Sequence, residues 1–141
     1  MKKSVVILLI VAAVTVTASF VCLTMVFTLR GLEREDTIWS YLDPYKAEAI
    51  DYLRQDAEFT ALYGEDVDLD GRNITYRYID PKKYTSLSLN PKIPASAEEF
   101  EAEVESLVVS FNLPDLRVVK VNFAKAPDGT LELTGWEFEE E

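Results

Sequence analysis

The sequence contains no histidine and only one cysteine, Cys22, among its 141 residues. Histidine is the usual general base, zinc ligand and pH switch near neutrality, so its absence excludes the common forms of all three. A single cysteine excludes an intramolecular disulfide. Because the chain after residue 30 has no thiol, it fits a cytosolic domain or a bacterial extracytoplasmic domain better than a secreted animal protein.

Charged side chains are also missing from the stretch Ser4–Leu29, which is 26 residues long. A helix of this length measures about 39 Å, whereas the hydrocarbon core of a bilayer is about 30 Å thick. We therefore predict that residues 1–30 form an uncleaved signal anchor, a single-pass transmembrane helix whose partner is the lipid bilayer along residues 4–29.

A cleaved signal peptide and a lipoprotein signal are the alternatives for this stretch. A cleaved signal has an apolar region of about 7–15 residues before small residues at the cleavage site. Bulky residues continue here beyond Thr17–Ser19, although cleavage there would release a secreted domain. A lipoprotein signal needs small residues before its cysteine, and Phe20 and Val21 precede Cys22.

The basic residues on the two sides of the apolar stretch indicate its orientation. Lys2 and Lys3 lie on the short N-terminal side, and Arg30 and Arg34 lie on the other side among acidic residues. Positive charge favours the cytoplasmic side. We expect a cytoplasmic N-terminus and an extracytoplasmic C-terminal domain at the cell membrane.

Acidic residues dominate the rest of the chain. All 25 lie after residue 30, together with 11 basic residues, which gives this part a net charge of −14. Binding to nucleic acid needs a clustered positive face, so we expect no nucleic-acid partner. The charge favours solubility or a protein partner with a basic surface.

The residues after the apolar stretch predict a juxtamembrane connector at 31–42 and an acidic α+β domain at 43–141. Asp43-Pro44 is typical of a helix start and Gly64 of a helix end, so we expect the first helix to run between them. Asp70-Gly71 favours a tight turn.

That turn predicts a hairpin across Val67–Ile74, followed by an extended piece from Tyr84 to Leu89. A capping box at Ser96–Glu99 then predicts a helix up to Phe111. Its apolar spacing places one face in the core: Phe100, Val104, Leu107, Val108 and Phe111.

The C-terminal segment predicts a second hairpin with its turn at Ala126–Gly129. Leu131 and Leu133 alternate out of phase with Trp136 and Phe138, and a bulge at Thr134-Gly135 would restore one apolar face. The predicted architecture is a transmembrane helix followed by two layers, with two helices on an antiparallel sheet of four to five strands.

Two short motifs have the form of ligand or modification sites. Asp66–Gly71 begins like a calcium-binding EF-hand loop, but Arg77 occupies the position that needs a bidentate Glu, which favours a solvated acidic hairpin. Asn73-Ile74-Thr75 fits the N-glycosylation sequon, which matters only in a eukaryotic secretory pathway.

Aromatic and acidic residues suggest further sites, each with a structural alternative. Trp39 and Tyr41 fit either an aromatic belt at the lipid interface or the start of the first helix. The seven tyrosines favour packing over acid–base chemistry. Glu98–Glu105 places its carboxylates on an exposed face, whereas catalytic pairs need burial or crowding. We predict no catalytic, cofactor-binding or metal-binding residue.

The stretch from Ala47 to Phe59, with Tyr63-Gly64 after it, resembles small uncharacterised single-pass membrane proteins of Gram-positive bacteria. A similar sequence pattern, a helix that ends at a glycine, occurs in the group of the cytochrome oxidase assembly factor Coa1 and Tim21. The segment Leu133–Phe138 is similar to the last strand of their domains. This resemblance implies a cystatin- or NTF2-like sheet and an accessory or assembly role. It supplies no catalytic residues.

The sequence thus favours a membrane-anchored, non-catalytic domain that binds a protein or helps a complex to assemble. The alternative from another class is a small enzyme with an Asp/Tyr pocket in a cystatin- or NTF2-like sheet. That alternative requires a buried carboxylate within hydrogen-bond reach of a tyrosine hydroxyl.

Overall fold

The structure is a computed structural model and describes residues 2–84 and 92–140. The chain divides into two compact units, Met1–Thr37 and Ile38–Glu141. Helix α1, Lys2–Gln55, supplies all of the first unit and the opening helix of the second. The segment expected to form a connector at 31–42 is therefore helical.

The second unit is an α+β fold, as predicted. After α1 come α2, Ala57–Tyr63, and then β1, Asp70–Tyr78, and α3, Pro81–Tyr84. The remaining elements are α4, Ala97–Glu103, β2, Val104–Asn112, β3, Val118–Lys125, and β4, Leu131–Phe138. The four strands form one antiparallel sheet in the order β1-β2-β3-β4.

One face of the sheet, here called the inner face, packs against helices and forms the core. Across its centre, Tyr76, Leu107, Phe123 and Leu133 stand in one cross-strand row. The α1 residue Tyr45 meets Phe123 edge to face at 5.5 Å. Burial of apolar side chains between sheet and helices is the main stabilising contribution.

The predicted helix from Asp43 to Tyr63 is wrong at its start and in its middle. Helix α1 passes through Pro44, although proline removes one backbone hydrogen bond. Burial of Leu42, Ala49 and Leu53 against the sheet offsets this cost. At Asp56 the backbone becomes extended, and the Asp56 carboxylate accepts a hydrogen bond from the Phe59 N–H at 2.8 Å, which caps a new helix, α2.

The predicted helix up to Phe111 ends at Glu103. The capping box is present, because the Ser96 hydroxyl accepts a hydrogen bond from the Glu99 N–H at 3.1 Å. Beyond Glu103 the chain continues as strand β2, paired on both sides with β1 and β3. Val109 therefore lies in the core, and Val108, which the helical spacing placed there, lies on the opposite face.

The predicted hairpin across Val67–Ile74 is also wrong. Val67 and Leu69 are buried in the core outside any strand, and Asp70-Gly71 begins β1 rather than turning the chain. The extended piece predicted at 84–89 lies outside the described residues, apart from Tyr84, which ends α3.

The C-terminal hairpin and its bulge are confirmed. Phe123 pairs with Leu133, and Asn122 pairs with Gly135, so Thr134 is the extra residue. The bulge returns Trp136 and Phe138 to the inner face, where Trp136 meets Phe59 edge to face at 5.6 Å. The local turn chemistry and the alternating pattern specified this hairpin correctly.

Candidate functional site

The large apolar side chains in the apolar part of α1 are exposed, from Phe27 at 41% to Phe20 at 69%, and none of the residues in its most apolar stretch is buried among the described residues. This is the one helix of the described residues that is long and apolar enough to cross a membrane. By length and composition, residues 4–29 are a candidate membrane span.

Five hydroxyl groups of this segment are hydrogen-bonded to the helix itself. The side chains of five residues donate to the carbonyl oxygen four residues earlier, at 2.8–2.9 Å: Thr15, Thr17, Ser19, Thr24 and Thr28. Unpaired hydroxyls are costly in hydrocarbon, so these bonds make the segment compatible with a lipid environment.

The face of the sheet opposite the core, here called the outer face, carries polar and small side chains. One cross-strand row contains Asn73, Ser110, Lys120 and Glu137. Beside this row lies an open groove of about 400 Å³ between β1 and β2, which Arg77 and other residues of both strands line. The groove is shallow and mixed in polarity, which suits contact with a surface better than enclosure of a small molecule.

Three tyrosines form a stacked cluster near the start of α4. Tyr78 stacks on Tyr84 with ring centroids 4.3 Å apart and meets Tyr76 edge to face at 5.3 Å. Burial, followed by the neighbouring hydroxyls of Tyr76 and Tyr84, raises the pKa of Tyr78 far above its usual value. A phenol held neutral in this way contributes packing, because it neither gives nor takes a proton readily near pH 7.

Tyr45 behaves similarly on helix α1. Burial raises its pKa to about 12, and the charges of Glu101 and Glu48 add to the shift. Among the described residues other than tyrosine, no polar or charged side chain is buried. A close carboxylate–tyrosine pair, Asp115 and Tyr63, has its oxygens 2.8 Å apart in an exposed position. It does not meet the requirement that the enzyme hypothesis set.

The structure also locates the other residues that the sequence analysis considered. Tyr41 belongs to the core, where its hydroxyl donates to the Pro94 carbonyl oxygen at 2.9 Å, and Trp39 lies on α1 with 37% of its surface exposed. Asn73 and Thr75 of the sequon are exposed on β1. Glu103, expected on an open helix face, pairs with Lys83 at 2.7 Å. Within residues 2–84 and 92–140, no group of three or more metal-ligating side chains is present.

The β2–β3 loop carries a polar cluster that the sequence analysis passed over. The Asp115 carboxylate accepts hydrogen bonds from the Tyr63 hydroxyl at 2.8 Å and from the Arg117 Nε at 2.9 Å. The Arg117 guanidinium lies 4.1 Å from the ring centroid of Phe138. Desolvation opposes the effect, but these hydrogen bonds hold the pKa of Asp115 below its usual value. The motif Pro114-Asp115 signals this turn once both flanking segments are recognised as strands.

The chain matches no family model, no curated protein and no solved structure. The resemblance to the Coa1 and Tim21 group therefore stays a prediction. Functional inference rests on the surfaces described above.

Proposed function

We propose that the protein is anchored in a bacterial cell membrane by residues 4–29 and presents its acidic α+β domain outside the cell, where the domain binds a protein partner or helps a membrane complex to assemble. The observation that carries the proposal is the exposure of every large side chain in a 26-residue uncharged helix segment. Such a surface is unfavourable in water and favourable in lipid.

The acidic character of the domain supports a protein partner rather than a lipid or nucleic-acid partner. The residues after position 30 carry a net charge of −14, which repels anionic lipid headgroups and nucleic acid alike. A basic protein surface gains attraction from the same charge. Anchoring contributes by holding the domain at a raised local concentration near other membrane proteins.

A non-catalytic role is consistent with the side chains of the domain. Tyr76, Tyr78 and Tyr84 pack against one another, and the open groove contains no carboxylate among its lining residues. Of two carboxylate–phenol pairs among the described residues, Asp115 with Tyr63 is exposed and held by an arginine. The other, Glu99 with Tyr84, has its oxygens 3.5 Å apart, and Glu99 is only half-buried. A binding role requires only an exposed surface, and the outer face of the sheet with its groove is exposed.

Alkaline carbonate extraction tests the anchor. Full-length protein is expected in the membrane pellet, and a variant lacking residues 2–30 is expected in the supernatant. Recovery of the full-length chain in the supernatant would contradict the proposal. A mass for the mature protein that lacks the N-terminal segment would instead support a released, secreted domain.

Affinity purification from detergent-solubilised membranes, with the anchor intact, tests the partner. We expect a protein to co-purify at low salt and to be lost as salt rises, because salt screens exposed charges over about 10 Å at 0.1 M. The outer-face variant Arg77→Ala is a useful second bait, since it separates binding through the groove from binding elsewhere on the domain.

A further inference from the structure

Leu116 stands at the tip of the β2–β3 loop in a conformation that leucine rarely adopts. Its φ is +70°, and it is the one non-glycine residue with positive φ in the described chain. Its side chain is 93% exposed, the largest value among the exposed large hydrophobic residues described. The left-handed conformation is unfavourable for a residue with a Cβ, and the exposed side chain gains nothing from the core.

The β3–β4 loop provides an internal reference for this conformation. In the β2–β3 loop, the Leu113 N–H donates to the Arg117 carbonyl at 2.9 Å and the Leu116 N–H donates to the Leu113 carbonyl at 3.0 Å. In the β3–β4 loop, the Ala126 N–H donates to Thr130 at 2.8 Å and the Gly129 N–H donates to Ala126 at 3.0 Å.

Both loops contain Pro-Asp before the left-handed residue, and that residue is Gly129 in one and Leu116 in the other. The loop geometry is the one in which glycine is ordinarily found. The leucine is therefore not required by the turn. Its conformation is unfavourable, and the described residues leave its side chain almost fully exposed, which points to a benefit from contact with another molecule.

We propose that Leu116 is the apolar anchor of a docking surface for a second, different protein, which receives the leucine in an apolar pocket with basic residues at its rim. The proposal rests on the proposed function and names the surface through which the partner binds.

The charges around the loop favour this occupant. Tyr63 is tied to the loop because its hydroxyl donates a hydrogen bond to Asp115. Glu65 and Asp66 come shortly after Tyr63 in the sequence, and both of these acidic side chains are exposed. Two basic residues of this hairpin have acidic partners. Arg117 pairs with Asp115 at 2.9 Å, and Lys120 pairs with Glu139 at 3.0 Å.

Among the described side chains of this region, the exposed carboxylates of Glu65 and Asp66 therefore remain in excess over the paired Arg117 and Lys120. A second copy of this chain would bring the same negative charge, and anionic lipid would be repelled. A basic rim around an apolar pocket complements both the leucine and its surroundings.

Photocrosslinking in native membranes, followed by affinity measurement, tests the proposal. A benzophenone amino acid is placed at position 116 of the full-length chain, and at position 79 as a control. Ile79 is a matched reference because it is 56% exposed, and it follows the end of β1 where Tyr78 pairs with Val104, away from the β2–β3 loop. We expect a protein adduct from position 116 that position 79 does not give.

The captured protein is then purified and titrated against the full chain in nanodiscs of zwitterionic lipid. We expect Leu116→Gly and Leu116→Asn to bind at least about tenfold more weakly, because a buried apolar anchor dominates such interfaces. Ile79→Asn should bind as the parent does. Both Leu116 variants should melt at the same or a higher temperature, since glycine and asparagine tolerate the left-handed conformation.

The outcomes separate the failure of this surface from the failure of the proposed function. A partner that binds the Leu116 variants as tightly as the parent refutes the docking surface and leaves the proposed function standing. Adducts only with lipid, or only with a second copy of the chain, also refute the surface. Absence of any protein partner refutes both.

Discussion

The two hairpin loops of the sheet share a pattern of backbone hydrogen bonds and differ in the residue at the left-handed position. Both place Pro-Asp before a residue of positive φ, which is +70° for Leu116 and +89° for Gly129. In both, the aspartate accepts a hydrogen bond from the backbone N–H two residues later, at 3.2 Å in the first loop and 3.0 Å in the second. The comparison shows that a turn is specified by its proline and aspartate, whereas the residue at the left-handed position can be selected for something other than the turn.

The largest effect is expected where an apolar side chain of the first hairpin is buried rather than exposed. Phe111 lies in β2 with none of its surface exposed, and Leu116 lies five residues later almost fully exposed. Phe111→Ala is expected to lower the free energy of unfolding by about 3–5 kcal/mol, because it removes core contacts and leaves a cavity. Chemical denaturation of the full chain measures this, and Leu116→Ala is the control.

An equally large decrease in the free energy of unfolding for Leu116→Ala would contradict the contrast between a buried Phe111 and an exposed Leu116. It would mean that the leucine packs within the fold, and the argument from its exposure would not hold.

The second-largest change in stability is expected when leucine, the left-handed residue of the β2–β3 loop, is placed at the same position of the β3–β4 loop. Gly129→Leu should destabilise the protein by about 1 kcal/mol, because the left-handed conformation costs roughly 1–2 kcal/mol for a residue with a Cβ and the less flexible unfolded chain returns part of it. Nothing lies within 4 Å of the position that a Cβ would occupy at Gly129, so steric clash adds little. Thermal unfolding of the full chain checks the sign.

The reciprocal change should have the opposite sign. Leu116→Gly is expected to stabilise the protein by somewhat less than about 1 kcal/mol. Glycine adopts the left-handed conformation without the cost of a Cβ, but the more flexible unfolded chain cancels part of this gain. The double variant should lie near the parent, because the two loops share no residue and distant changes add. A double variant far less stable than the parent would show that the left-handed conformation has a different cost in the two loops.

The smallest effect concerns acid. Hydrogen bonds from the Thr130 hydroxyl and backbone lower the pKa of Asp128, and those from Tyr63 and Arg117 outweigh desolvation and lower that of Asp115. A carboxyl whose pKa is lower in the folded state contributes stability above its ordinary pKa, near 3.9, and that contribution is lost as pH falls toward the folded value. Asp128→Asn and Asp115→Asn should each flatten the decline in melting temperature below about pH 4. An unchanged acid profile would contradict the shift.

The parts of the fold that local chemistry decides were predictable from the sequence. The turn at Ala126–Gly129 and the bulge at Thr134 follow from residue types within a few positions of each other. The uncharged helix at 4–29 follows from composition and length alone. Neither prediction requires knowledge of which residues pack together in the folded protein.

Strand β2 was not predictable in this way because its residues satisfy two periods at once. Phe100, Val104, Leu107 and Phe111 have helical spacing, while Leu107, Val109 and Phe111 alternate as in a strand. Pairing with β1 and β3 decides between them, and those strands lie far away in sequence. Misassigning β2 hid the β2–β3 loop, so the position of Leu116 could not be seen from the sequence.

The extra residue at Thr134 has a consequence for proteins that are crowded together. Strand β4 is the edge of the sheet, where unpaired backbone groups invite another chain to add as a further strand. The bulge interrupts the regular spacing of those groups, and Glu132 and Glu137 flank it with negative charge. This edge is thereby a poor template for polymerisation, a safeguard that would matter most if the proposed anchor confines the molecules to two dimensions.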